Sequence, residues 1–161
     1  MAPHAKSFRI GVNWCGSETY RGNFARSMPH EMLLPLADIA DVRLLSLHKG
    51  RRAEMLHADG SAAFILDVCS EDRDLADCAA LMDRLDLIVT TDTVTAHLAG
   101  SLGRPCWLLL HSDPFWLWSH SGDDTPWYPS LRIFRQETAG DWDRVMENVF
   151  TALAERIGSR P

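Results

Sequence analysis

Six short apolar runs recur along the chain, at 8–14 (FRIGVNW), 42–47 (VRLLSL), 63–67 (AFILD), 86–91 (DLIVTT), 105–110 (PCWLLL) and 131–135 (LRIFR). Nearly unbroken apolar strands are what a parallel sheet covered on both faces requires. Whichever way the pleat turns a side chain, it meets a helix layer and not water. Helical patterns fill the gaps at 29–39, 50–58, 73–84, 93–102 and 141–157. The last is the clearest, because Trp142, Val145, Met146, Val149, Phe150, Leu153, Ala154 and Ile157 recur at spacings of three and four and form one stripe. Pro29 suits the first turn of its helix, where a missing N–H is no loss. This alternation predicts an α/β fold: a doubly wound, mainly parallel, six-stranded Rossmann-like sheet with helices on both faces, forming one domain over 1–161.

Composition narrows the function classes. The chain has 161 residues, enough for a genuine core, with 46% hydrophobic and 24% charged residues. No run approaches the ~18 apolar residues of a membrane span, and the start, MAPHAKSFRIGV, lacks the apolar core of an export signal. The expectation is a cytoplasmic protein. A net charge of -6 argues against nucleic acid as a partner, since affinity for a phosphate backbone comes from a positive surface. Cys15, Cys69, Cys78 and Cys106 match neither a disulfide scaffold nor a paired zinc-ligand spacing, so they read as reduced and mostly as small core residues, with no metal expected.

If the strand order is 3-2-1-4-5-6, the order reverses between strands one and four, and ligands sit outside their carboxyl ends. Those ends are Trp14-Cys15-Gly16-Ser17 and Thr91-Asp92-Thr93, flanked by a basic knot, His48-Lys49-Gly50-Arg51-Arg52, after strand two and by a Trp-rich loop after strand five. The helix starting Asp92-Thr93-Val94-Thr95-Ala96-His97 offers N–H groups and a dipole that favour an anion by about 0.3–1 kcal/mol. Thr93 and His97, four apart, share a face on which a phosphate can touch both, while Asp92 reads as the helix cap and the alternative for His97 is a satisfied core residue. Ala96, Ala99, Gly100 and Gly103 let this helix lie close to the sheet, which is a packing role. Neither G-x-G-x-x-G nor a P-loop occurs, and an aspartate-nucleophile phosphatase would need an acid where Val94 stands. Of the cations able to neutralise a pyrophosphate, Arg21, Arg26 and Lys49, the last two are the better placed. The loop over 111–129 carries Trp116, Trp118, Trp127 and Tyr128 and can stack on a base or sugar or pack against a partner domain.

Four blocks in this order, GVNWCGSETYRGNFARSMP, LLSLHKG, LDLIVTTDTVTAHLAGSLGRPCWLLL and GDDTPWYPSLRIFRQETAGDW, make nearly the whole chain resemble the C-terminal domain of bacterial heptosyltransferase-like glycosyltransferases, the family 9 type found after tetratricopeptide repeats. The resemblance implies the nucleotide-sugar half of a two-domain GT-B fold and an inverting, metal-independent transfer. No cofactor is implied, the UDP- or ADP-linked sugar being the substrate. It also implies that Asp92, Thr93 and His97 grip the diphosphate and sugar, and that Arg26 and Lys49 offset charge on the leaving nucleotide diphosphate. Gly16, Ser17, Val94 and Thr95 complete the expected binding set, and no residue is assigned as the catalytic base. Tyr20, Asn23 and Leu117 depart from the polar residues common in that family. A GT-B enzyme closes two domains on its substrates, so an N-terminal GT-B domain or a partner chain is implied as well. The alternative is a noncatalytic protein-interaction or regulatory domain of the same fold.

Overall fold

The computed structural model describes residues 7–159. Residues 1–6, on which part of the reading of the amino terminus rests, lie outside the described residues. Six strands, β1 (Phe8–Asn13), β2 (Val42–Ser46), β3 (Ile65–Asp67), β4 (Leu87–Thr91), β5 (Cys106–Leu110) and β6 (Leu131–Arg135), form one sheet. Its order is β3-β2-β1-β4-β5-β6, every pair parallel, as the alternation predicts. At the centre, Val12 pairs with Ser46 on one side and with Val89 on the other. The helices are α1 (Asn23–Arg26), α2 (Arg51–Ala58), α3 (Leu75–Met82), α4 (Val94–Ser101) and α5 (Trp142–Gly158).

Strand parity divides the core in two. Ile10, Val12, Leu87, Val89, Trp107 and Leu109 face a layer built with Val145, Val149 and Leu153 of α5. The alternate residues Ile88, Cys106, Leu108 and Leu110 face Ala96 and Ala99 of α4 together with Met82, Leu85 and Trp118. Every residue of β4 and β5 is buried, which is why these strands carry no polar alternation. α3 and α5 start at side-chain caps: Asp74 accepts from the N–H groups of Ala76 and Asp77, and Asp141 from that of Arg144. No helix among the described residues is long and apolar enough to cross a membrane.

The helix expected over 29–39 is instead a 3-10 segment, His30–Asp38. Pro35 lies inside it, and a proline there has no N–H to donate and its ring obstructs the carbonyl four residues back, so α-helical pairing cannot propagate. The third strand is shorter than its apolar run, because Gly60 takes a left-handed conformation and starts a 3-10 turn over Ser61–Ala63. The four-residue α1 inside the first loop has no periodic signal long enough to read.

Candidate functional site

β1 and β4 are neighbours whose onward connections leave in opposite directions across the sheet, so their carboxyl ends part and leave a crevice. A cavity of about 690 Å³ opens there. Gly16, Ser17, Arg26, Lys49, Asp92, Thr93, Val94 and His97 all line it, which brings eight of the nine residues expected from the sequence to one place. The ninth, Thr95, does not line it. Its side chain is buried and its Oγ1 accepts from Asn13 Nδ2 at 2.8 Å, tying α4 to the end of β1. Arg21 lies outside as well, in a neighbouring hollow beside Phe24 and Met55.

The charge of the cavity opposes that of the chain. Arg26, Lys49, Arg51 and Arg52 line it against only Glu18 and Asp92. Both carboxylates are engaged, Glu18 with Arg52 (Nε to Oε1, 3.3 Å) and Asp92 as acceptor from Trp118 Nε1 at 2.9 Å. The Lys49 ammonium donates to the Asp72 carbonyl at 2.7 Å, which sets where its charge lies. Arg26 lies over the Tyr20 ring, 4.4 Å from its centroid, and its buried Nε has no hydrogen-bond partner. Its guanidinium packs against Gly16, where a Cβ would stand 2.4 Å from Arg26 Nη2 and push it from this position. Asn23, one of the departures from the family pattern, has a local task, its Oδ1 accepting from Gly16 N–H at 2.9 Å and from Ser27 Oγ at 3.1 Å.

Two residues have roles other than those expected. Thr93, not Asp92, caps α4, its Oγ1 accepting from Thr95 N–H at 3.3 Å; Thr93 holds the extended conformation that places its hydroxyl over the first turn, while the Asp92 carboxylate turns to the indole of Trp118. His48 belongs to the basic knot by sequence but carries no positive charge at neutral pH. Burial, helped by the nearby Arg52 and His30, lowers its pKa to about 4. Its Nε2 accepts from Trp14 N–H at 3.2 Å, pinning the loop after β1 to the loop after β2. The Cys15 thiol beside it is pushed up by burial and stays protonated.

His97 is held from two sides. Its Nδ1 pairs with Tyr128 Oη at 3.1 Å, and its ring stacks on Trp118 at 5.1 Å. Nε2 is therefore the ring nitrogen open to a bound group. The Trp-rich loop thus splits into two kinds of residue, for Trp118 is 1% exposed and supports the site, whereas Phe115, Trp116 and Trp127 are 59%, 66% and 55% exposed. Sequence reasoning missed Asn13 and the Asp92–Trp118–His97–Tyr128 chain. An asparagine closing a mostly apolar strand was the available signal for the first. Among the described residues two groups could bring three metal-ligating side chains together, Cys69–Asp72–Cys78 and His30–Glu31–Asp59, and neither lines this cavity.

Gly100 tests how this support is packed. A Cβ there would lie 2.4 Å from Tyr128 Cγ and 2.8 Å from its Cβ, so the root of the side chain is in the way and rotation cannot relieve it. Alanine gains about 1 kcal/mol of helix propensity over glycine, and overpacking costs about 1–3 kcal/mol. Gly100→Ala is expected to give no net gain in a urea unfolding curve, and to loosen the Tyr128–His97 pair, visible as a shift of the His97 imidazole NMR signals. A clear stabilisation with unmoved signals would contradict this packing.

The crevice and sheet define the class: a Rossmann-like α/β domain with a cationic pocket at the switch point. More particularly, the chain shares its fold with part of the Escherichia coli ADP-heptose LPS heptosyltransferase II structure (TM-score 0.61, 21% identity, 98% of this chain and 50% of that one). It likewise matches a glycosyl transferase family 9 structure from Veillonella parvula (TM-score 0.55, 15% identity, 89% of this chain and 38% of that one). This is the GT-B heptosyltransferase type of fold, of which the chain spans about half or less. In sequence it is 39% identical over 87 residues to protein FlbA of Caulobacter vibrioides, spanning 53% of this chain and 14% of that protein. No family model matches the chain.

Proposed function

We propose that the cavity binds a nucleotide-diphosphate sugar, UDP- or ADP-linked, and that the domain is the donor half of an inverting, metal-independent glycosyltransferase. The observation that carries this reading is the convergence of Arg26, Lys49, His97 and the start of α4 on one cavity of an otherwise acidic chain. The diphosphate would lie between the Lys49 and Arg26 charges and the first turn of α4, with Thr93 and the His97 Nε2 toward the sugar-linked phosphate. As the glycosidic bond to the diphosphate breaks, negative charge grows on the leaving oxygen, and fixed cationic donors stabilise that charge more than the ground state. The cavity's two carboxylates already have partners, so this neutralisation falls to cationic side chains, which suits a mechanism without a metal. The acceptor and general base would come from an N-terminal GT-B domain or a partner chain, in a cytoplasmic setting.

Titration with UDP- and ADP-sugars, followed by NMR or calorimetry, tests the reading. A hydrogen bond to a charged group contributes about 1.5–3 kcal/mol, so Lys49→Ala and His97→Ala should each weaken binding by about 10- to 100-fold. Absence of binding at millimolar ligand, or unchanged affinity in both variants, would reject it. A second reading, a noncatalytic interaction domain, draws on the exposure of Phe115, Trp116 and Trp127. It requires complex formation through that loop whether or not nucleotide is present.

A further inference from the structure

Next to Lys49, the loop after β3 and the first turns of α3 bring together two thiols and a carboxylate. The ligand atoms of Cys69, Asp72 and Cys78 all lie within 4.8 Å of one another. Cys69 is buried, Asp72 and Cys78 are half-buried, and Asp72 Oδ2 is shielded from solvent with no hydrogen-bond partner. A buried carboxylate oxygen left unpaired costs free energy unless a cation meets it.

Hydrogen bonds within the loop hold its shape. Asp67 Oδ1 accepts from the N–H groups of Cys69 and Ser70, each at 3.3 Å, and Ser70 Oγ also donates to the Asp67 carboxylate. Asp72 N–H donates to the Cys69 carbonyl at 3.1 Å, and Asp74 then caps α3, which carries Cys78.

We propose that Cys69, Asp72 and Cys78 form a three-ligand site for a thiolate-preferring divalent cation of the zinc class, with water as the fourth ligand. Two sulfur ligands select soft or borderline metals over magnesium or calcium, and three protein ligands plus water complete a tetrahedron. On binding, the Cys69 and Cys78 S–H protons pass to solvent and both sulfurs donate to the metal. Two thiolates, one carboxylate and a divalent cation leave a single negative charge, and Lys49, whose Nζ donates to the Asp72 carbonyl at 2.7 Å, offsets it. The rival chemistry at these atoms, a Cys69–Cys78 disulfide, would leave Asp72 Oδ2 as unpaired as before. The spacing of these ligands matches no familiar zinc pattern, because the loop and helix bring them together in space.

The test uses the whole chain, stripped of metal and kept reduced, titrated with Co²⁺ and then Zn²⁺. Thiolate-to-cobalt charge-transfer absorption in the near ultraviolet should rise to saturation at one metal per chain and collapse as Zn²⁺ displaces Co²⁺. Cys78→Ser, at a half-buried position, should abolish the band while the far-ultraviolet circular dichroism stays native. Asp72→Asn, which keeps both thiols, should retain a band but need more cobalt to reach it. No band in the wild type, a band unchanged in either variant, or recovery of a Cys69–Cys78 disulfide that resists the reducing buffer would each overturn the site.

Discussion

Replacing Trp118 with alanine is expected to lower the unfolding free energy by about 3–5 kcal/mol, the range for deleting a large buried aromatic. Trp118 is 1% exposed and packs in the core cluster that covers one face of the sheet with Ile88, Leu108 and Leu110. The same change removes the N–H that pairs with Asp92 Oδ1 and the surface against which His97 stacks, so ligand affinity should fall with stability. Trp118→Phe separates the two effects. It keeps most of the ring volume but leaves the buried Asp92 carboxylate without its donor, at a cost of about 1–3 kcal/mol. The control is two residues away in the same loop: Trp116 is 66% exposed, and Trp116→Ala should stay within about 0.5 kcal/mol. Urea unfolding of the three variants decides the matter, and equal losses at 116 and 118 would refute the division of the loop into anchor and surface.

Stability should also fall as the solution is acidified from about pH 6.5 toward pH 4, by up to about 3 kcal/mol, through His48 alone. In the folded chain its pKa is lowered from 6.5 to about 4. Above pH 6.5 the imidazole is neutral in both states and imposes no cost. Between the two values the unfolded chain takes up a proton that the folded chain refuses, so stability rises with pH across that window. His48→Gln retains an acceptor for Trp14 N–H but takes up no proton, and its unfolding free energy should therefore change less over the same range. Asp59 and Asp77, whose carboxyls are held below their ordinary range chiefly by hydrogen bonds from Ser61 and Arg73 respectively, act at lower pH and do not mask the difference. Parallel pH profiles for wild type and variant would remove His48 as the cause.

The parts of the site legible in the sequence were those set by position relative to the sheet. Once strands one and four are neighbours, the residues following Asn13 and Thr91 must share a crevice, and Arg26, Lys49 and His97 arrive there on short connections. What was not legible was the choice between adjacent polar residues. Asp92 and Thr93 are both good caps, and only the course of the backbone, with an indole waiting on one side, assigned Thr93 to the helix and Asp92 to Trp118. Thr95 reads as a ligand of the site by its company, yet its place on α4 turns it to Asn13.

The sequence by itself determined the layered architecture, the strand positions to within a residue or two and the neighbourhood of the crevice, because hydrophobic periodicity reports which faces must leave water and needs no knowledge of partners. The tertiary structure alone decided that Pro35 holds its segment in 3-10 form, that His48 is a neutral pin, that Trp118 is an anchor where Trp116 is surface, and that Cys69 meets Cys78. Burial, charge state and hydrogen-bond partner are properties of a residue's surroundings, and those surroundings come from stretches of chain as far apart as Asn13 and Thr95.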